Sequence, residues 1–176
     1  GPIDKDGVMA FRLTALSRSL DSQFNTVKEE RQALAASHRL ASGRAPDQLL
    51  TRLAKNELIL IGVCKLLTAA VTARLPVTPA GEWLLDNFYL IEEQIRTAKR
   101  HLPKGYSREL PHLTKGVAAG LPRAYDIAQE VIWHSDGRVN AETVAAVLSS
   151  YQTVSVLTMG ELWAVPIMFR FALIEN

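Results

Sequence analysis

The chain has 176 residues, of which 48% are hydrophobic, and 20 basic side chains stand against 18 acidic ones. That length supports one domain with its own core, and the apolar share excludes disorder over most of the chain. The near-balanced charge of +2 excludes the basic footprint of a nucleic-acid binder.

Gly1-Pro2 reads as the scar of a cleaved expression tag, residues 1–7 as a mobile tail, and residues 8–176 as a single helical domain. No secretory signal is visible. The periodicity predicts an all-α bundle of about six helices and no strand. The first helix runs from about Val8 to about Ala41, where Phe11, Leu13, Leu16, Leu20, Phe24, Val27, Arg31 and Leu34 fall near helical spacing and make one face apolar. Ser42-Gly43 marks a turn. The second starts near Pro46 and continues to about Ala73, carrying Leu49, Leu50, Leu53, Leu60, Val63, Leu67 and Val71. Thr78-Pro79 opens the third as N-cap and first-turn proline. In it Leu84, Phe88, Ile91, Ile95, Ala98 and Leu102 step by 3 or 4, the clearest amphipathic stripe in the chain.

Tyr106 to Gly120 shows no period and reads as an ordered connector with one short turn. A fourth helix spans about Pro122 to His134, followed by the turn Asp136-Gly137. Asn140 N-caps a fifth that runs to about Thr153. Thr158-Met159-Gly160-Glu161 is a capping box for the sixth, with Leu157 and Leu162 as its hydrophobic staple. That last helix, apolar almost all round, is expected to be central and kinked at Pro166. Its abrupt end at Asn176, without a C-cap signal, reads as a fragment of a longer polypeptide.

No catalytic residue, cofactor site or metal site emerges. Nucleophile elbows, phosphate loops and dinucleotide fingerprints are absent. Cys64, the single cysteine, lies in the apolar run Leu58 to Leu67 and reads as a small buried hydrophobe. The histidines His38, His101, His112 and His134 form no E-x-x-H string, and Glu130 with His134 reads as a surface pair. Glu82, Asp86 and Glu93 share the third helix. Two of them on one face would supply the carboxylate pair that sugar hydrolysis needs, but helix pairing explains them as well. Arg170 sits in the apolar last helix. A buried guanidinium needs a carboxylate, so Asp86 or Glu93 is its expected partner, giving a candidate network of Glu82, Asp86, Glu93 and Arg170. Trp83, Trp133, Trp163, Tyr89, Tyr106 and Tyr125 are read first as core. Trp83 and Tyr106, with Arg108 and Glu109 of the connector, are the candidate sugar or partner surface.

Three strings carry a resemblance: Thr78-Pro79-Ala80-Gly81-Glu82-Trp83-Leu84-Leu85-Asp86-Asn87-Phe88, Leu102-Pro103-Lys104-Gly105-Tyr106-Ser107-Arg108-Glu109-Leu110-Pro111, and Leu157-Thr158-Met159-Gly160-Glu161-Leu162-Trp163-Ala164-Val165-Pro166-Ile167-Met168. In this order they resemble the N-terminal helical region of bacterial cyclic β-1,2-glucan synthases, over about Pro76 to Asn176. The resemblance implies a piece of a large inner-membrane glycosyltransferase that uses UDP-glucose, with this region on the cytoplasmic side. It also implies that the chemistry lies elsewhere. The nucleotide-binding fold and the R-W string of such transferases are missing, and Asp4-Lys5-Asp6 is a D-x-D by letters only. The expected role is accessory, regulatory or scaffolding, with other domains of the synthase as partners, no nucleic acid and no membrane span. A glucan- or nucleotide-sugar-binding module and a stand-alone protein-interaction adaptor are the alternatives.

Overall fold

The computed structural model describes residues 18, 22–23, 25–41, 43–135 and 138–176. Expectations placed on residues 1–17, on Leu20, Phe24 and Ser42, and on the Asp136-Gly137 turn lie outside the described residues. In chain order the helices are residues 25–37 (α1), Gln48–Thr72 (α2), Pro79–His101 (α3), Arg123–His134 (α4), Ala141–Gln152 (α5) and Met159–Glu175 (α6). A 3-10 turn covers Tyr106–Glu109, and two short strands, Leu40–Ala41 (β1) and His112–Leu113 (β2), pair antiparallel. The fold is all-α as expected, with two corrections: α1 ends at residue 37 rather than near Ala41, and Leu40–Ala41 instead forms a short strand with His112–Leu113 where no strand was expected.

The chain groups into two compact units. One comprises Gly1–Ser37 with Asn140–Val156, and the other His38–Val139 with Leu157–Asn176. In the first, Gln32 Nε2 donates to Thr153 Oγ1 at 3.0 Å, and Ala35, Val147 and Tyr151 are buried. The expected N-cap of α5 is present: Asn140 Oδ1 accepts from the Thr143 amide at 2.8 Å.

The second unit holds the remaining helices. α2 begins at Gln48, close to the expected start near Pro46, and its N-cap residue Asp47 makes no side-chain bond to the helix. The Asp47 carboxylate oxygens take the Gly105 amide at 3.0 Å and the Ser107 hydroxyl at 2.7 Å. Gly105 presents that amide from a left-handed conformation, φ 91°, which a side chain would strain. In α3, Thr78 Oγ1 accepts from the Gly81 amide at 3.2 Å, while Glu82 and the basic run Lys99–His101 sit at the helix ends that favour their charges. The stripe sinks along its length: Leu84, Phe88 and Ile91 are half-buried, Ile95, Ala98 and Leu102 buried.

The connector between α3 and α4 is ordered by backbone pairing that local periodicity does not encode. Leu113 N donates to Leu121 O, Gly120 N to Leu113 O, Thr114 N to Arg39 O and Arg123 N to Pro111 O. Its backbone polar groups thus find partners without helix or extended sheet.

α6 packs against α4, α3 and α2 and is the centre of this unit. Ala164, Met168 and Ala172 are buried on it, and Ala124, Ile127, Ala128 and Ile132 on α4. Small residues on both helices allow close approach, and larger ones such as Met168 each contribute about 1.5–3 kcal/mol by burial. The capping box of α6 is complete. The helix is not buried on every side, however. Met159, Trp163, Pro166 and Leu173 are exposed and Arg170 is half-buried, a 4-3-4-3 stripe facing outward. Pro166 lies on that outer stripe and inside the helix.

Candidate functional site

The deepest polar feature joins the starts of α4 and α6. Arg123 follows Pro122 in the first turn of α4, where a cation opposes the helix dipole, so a tertiary partner has to hold it. That partner is Glu161. Arg123 Nε and Nη2 donate to Glu161 Oε1 and Oε2 at 2.5 and 2.8 Å, with both side chains almost fully excluded from solvent. Glu161 Oε2 also accepts from the Thr158 amide at 2.7 Å and from its hydroxyl at 3.0 Å. The Glu161 amide in turn donates to Thr158 Oγ1 at 3.3 Å. One carboxylate therefore closes the capping box and neutralises a buried guanidinium, which offsets the desolvation cost of both charges.

Above this pair opens a cavity of about 410 Å³ lined by Leu40, Ala41, Gly43, Glu109, Leu110, Pro111, Arg123 and Thr158. Glu109 pairs with Arg44 at 3.3 Å on its exposed rim. Tyr106 donates its hydroxyl to Gly160 O at 3.0 Å, fixing the 3-10 turn to the first turn of α6. The second and third of the three sequence strings thus meet in space.

A second polar cluster forms at the other end of α6. Glu175 accepts from Arg52 Nε at 3.0 Å and Nη2 at 3.1 Å, from Asn56 Nδ2 at 2.9 Å and from Gln129 Nε2 at 2.9 Å. The Tyr125 hydroxyl also donates to it, and the Arg52 guanidinium lies 5.9 Å from the centre of the Tyr125 ring. The cluster binds α2, α4 and α6 together. Burial pushes the Glu175 carboxyl up, but the hydrogen bonds from Arg52, Tyr125 and Asn56 and the Arg52 charge outweigh it and hold it below its usual range. Burial, then the bond to Glu175, raises the Tyr125 phenol and keeps it neutral. Burial, with the Glu92 charge, raises the Cys64 thiol. The thiolate, which is the nucleophilic form, is thereby disfavoured.

The expected network of Glu82, Asp86, Glu93 and Arg170 does not assemble. The three carboxylates lie on the exposed side of α3, and Arg170 sits on the outer stripe of α6, where partial solvation removes its need for a buried partner. Neither Asp86 nor Glu93 is paired with it among the described residues. Of the aromatic side chains singled out, only Tyr125 is fully buried; Tyr106 is half-buried, while Trp83, Trp133, Trp163 and Tyr89 are exposed. The core assignment for those four is therefore corrected: each lies on the outward side of its helix. Of the candidate surface, Glu109 lines the cavity, Tyr106 anchors its turn, Arg108 is exposed, and Trp83 stands on α3 with none of its atoms lining the cavity. Glu130 and His134 form the surface pair at 3.2 Å. Sequence reasoning missed Arg123, Glu175 and the contact of His38 Nε2 with Asp126 Oδ2 at 3.0 Å. Only Arg123 carried a local signal, its charge at the wrong end of a helix.

Among the described residues no group of three or more His, Cys, Asp or Glu side chains is placed to hold a metal ion, and no helix is long and apolar enough to cross a membrane. No family model matches the chain. It is 36% identical over 134 residues to the cyclic beta-(1,2)-glucan synthase NdvB of Rhizobium meliloti (strain 1021). The match covers 76% of this chain and 5% of that protein, so the chain spans a small part of the length of its relative. At that identity over three quarters of its residues, the chain is related to a region of cyclic β-(1,2)-glucan synthase.

Proposed function

We propose that the chain is a non-catalytic scaffolding module of a cyclic β-1,2-glucan synthase. Its partners are other domains of that synthase. The parent is a membrane glycosyltransferase that uses UDP-glucose, with this module on the cytoplasmic side of the bacterial inner membrane. Catalytic residues, cofactor and metal belong to other parts of the polypeptide. The observation that carries this reading is the saturation of Glu161: Arg123 and Thr158 together supply four donors to one buried carboxylate. A group so engaged and fully shielded from solvent is out of a substrate's reach, and its work is to fix α4 on α6.

One feature favours a second reading, a glucan- or nucleotide-sugar-binding module. The cavity over Arg123 falls in the size range of small-molecule sites, and it carries a carboxylate and a hydroxyl beside apolar Leu40, Leu110 and Pro111. Titration of the chain with β-1,2-glucan oligosaccharides and with UDP-glucose, followed by NMR, separates the two. Scaffolding predicts no saturable shift at millimolar ligand. Saturable shifts centred on Glu109, Leu110 and Thr158 would establish the binding module instead.

A further inference from the structure

Among the described residues, the largest run of exposed apolar side chains on one helix lies on α2. Leu58, Ile59, Val63 and Leu66 are exposed, Leu66 at 73% and Leu58 at 69%. Gly62, Ala69 and Ala70 fall on the same side at helical spacing. This side is distinct from the one that packs on α3. There a Cβ at Gly81 would stand 3.0 Å from the Leu67 side chain, and Leu49, Leu53 and Cys64 are buried.

The charges on α2 are segregated as well. Lys55 and Lys65 are exposed along the apolar face, and Arg74 is exposed just beyond the helix end. No carboxylate of α2 shares that face. Glu57, the one acid within α2, lies across the helix and pairs with Lys99 of α3. Apolar side chains flanked by cations, with anions excluded, complement a surface that is apolar within and negative at its boundary. Arg52 pairs with Glu175 and Glu57 with Lys99, so Lys55 and Lys65 are the α2 charges left on this face, and four charged residues within α2 exclude a spanning helix.

We infer that the outer face of α2 seats this unit on an anionic lipid surface. Leu58, Ile59, Val63 and Leu66 enter the boundary between headgroups and acyl chains. Lys55, Lys65 and Arg74 lie at the level of the lipid phosphates. The long lysine stems let the ammonium groups stay in the headgroup layer while their methylenes cover apolar surface. An acidic protein surface would need carboxylates in register with three separated cations, whereas a bilayer presents negative charge at every position.

The test is flotation of the 176-residue chain with vesicles of phosphatidylcholine alone and of equal parts phosphatidylcholine and phosphatidylglycerol. The expected result is binding to the anionic vesicles that is at least about tenfold tighter than to the neutral ones and falls as salt is raised. L58E/L66E should lower that binding by about tenfold or more, and K55E/K65E should abolish the preference for anionic lipid. E82Q, on the exposed side of α3, should leave binding unchanged. All three variants alter exposed side chains, so circular dichroism should match the parent chain. Equal binding to both vesicle types, no binding to either, or self-association in the absence of lipid that L58E/L66E removes would each overturn the proposal. The last outcome would make the face a protein interface. None of these readouts depends on glucan or UDP-glucose, so failure here leaves the scaffolding reading to its own test.

Discussion

α4 and α2 are both rich in apolar residues, yet they use them in opposite ways. α4 has twelve residues and buries Arg123, Ala124, Tyr125, Ile127, Ala128, Val131 and Ile132. α2 has twenty-five and buries only Leu49, Leu53 and Cys64. Apolar content alone therefore says little about depth. What places α4 inside is a fixed partner: small residues facing α6, and a charged side chain that can be buried because Glu161 waits for it. α2 has one packed side, against α3 and α6, and leaves a second apolar side outward.

This contrast can be broken or sharpened by substitution. The largest effect is expected at the anchor of α4. E161L leaves the Arg123 guanidinium buried without its carboxylate and should cost about 3–5 kcal/mol of stability, read as a lower urea midpoint. R123M/E161L removes both charges and should cost less than E161L alone, even though the α6 cap is also lost. Second, M168A opens a void where α6 meets its neighbours and should cost about 2–5 kcal/mol; a loss under about 1 kcal/mol would mean that α6 is not the centre of its unit.

A smaller effect belongs to the outer anchor. E175Q weakens the bonds from Arg52, Asn56, Gln129 and Tyr125 and should cost about 1–3 kcal/mol at neutral pH. Because the folded carboxyl titrates below its usual value, its contribution is fully present above the unfolded pKa and is lost as pH falls through the folded one. The gap between parent chain and E175Q should therefore narrow as acid is added. A gap that stayed constant into strong acid would deny the carboxylate this role. The smallest effect is expected on α2, where L66Q, at an exposed site, should change stability by no more than about 0.5 kcal/mol. A larger loss would show that the outer face of α2 is covered within the chain.

Much of the fold was legible because its signals are local. Thr78-Pro79, Asn140 and Thr158-Met159-Gly160-Glu161 start their helices where cap chemistry says they should. The α3 stripe likewise names the side that packs. The connector was legible as an ordered segment with one short turn, but its pairing was not: that order comes from β1, from Asp47 and from Pro111 accepting the Arg123 amide, all set by tertiary approach. The misreading of Arg170 has a similar origin. Apolar residues surround it in sequence, but Met159, Trp163, Pro166 and Leu173 fall on one outward stripe with it, so its helix has a solvent side despite its composition. Glu161 was hidden for the opposite reason. The capping box already explained it, and a residue with one complete local role gives no sign of a second. Arg123 was the available clue, since a cation in the first turn of a helix works against the dipole.

In the function proposed above, this module holds structure and leaves chemistry to the rest of the synthase. That reading is tested most directly by R108A/E109A in the full-length enzyme, which removes two exposed charged groups of the connector and spares the buried anchors. The activity proposed for the parent, glucan formation from UDP-glucose, should be measured per assembled enzyme molecule. Unchanged kcat and KM, with at most a lower yield of assembled synthase, is the predicted result. A fall in kcat of about tenfold or more at full assembly, equivalent to about 1.4 kcal/mol of transition-state stabilisation, would contradict the account by showing that the connector acts on turnover and not on assembly alone.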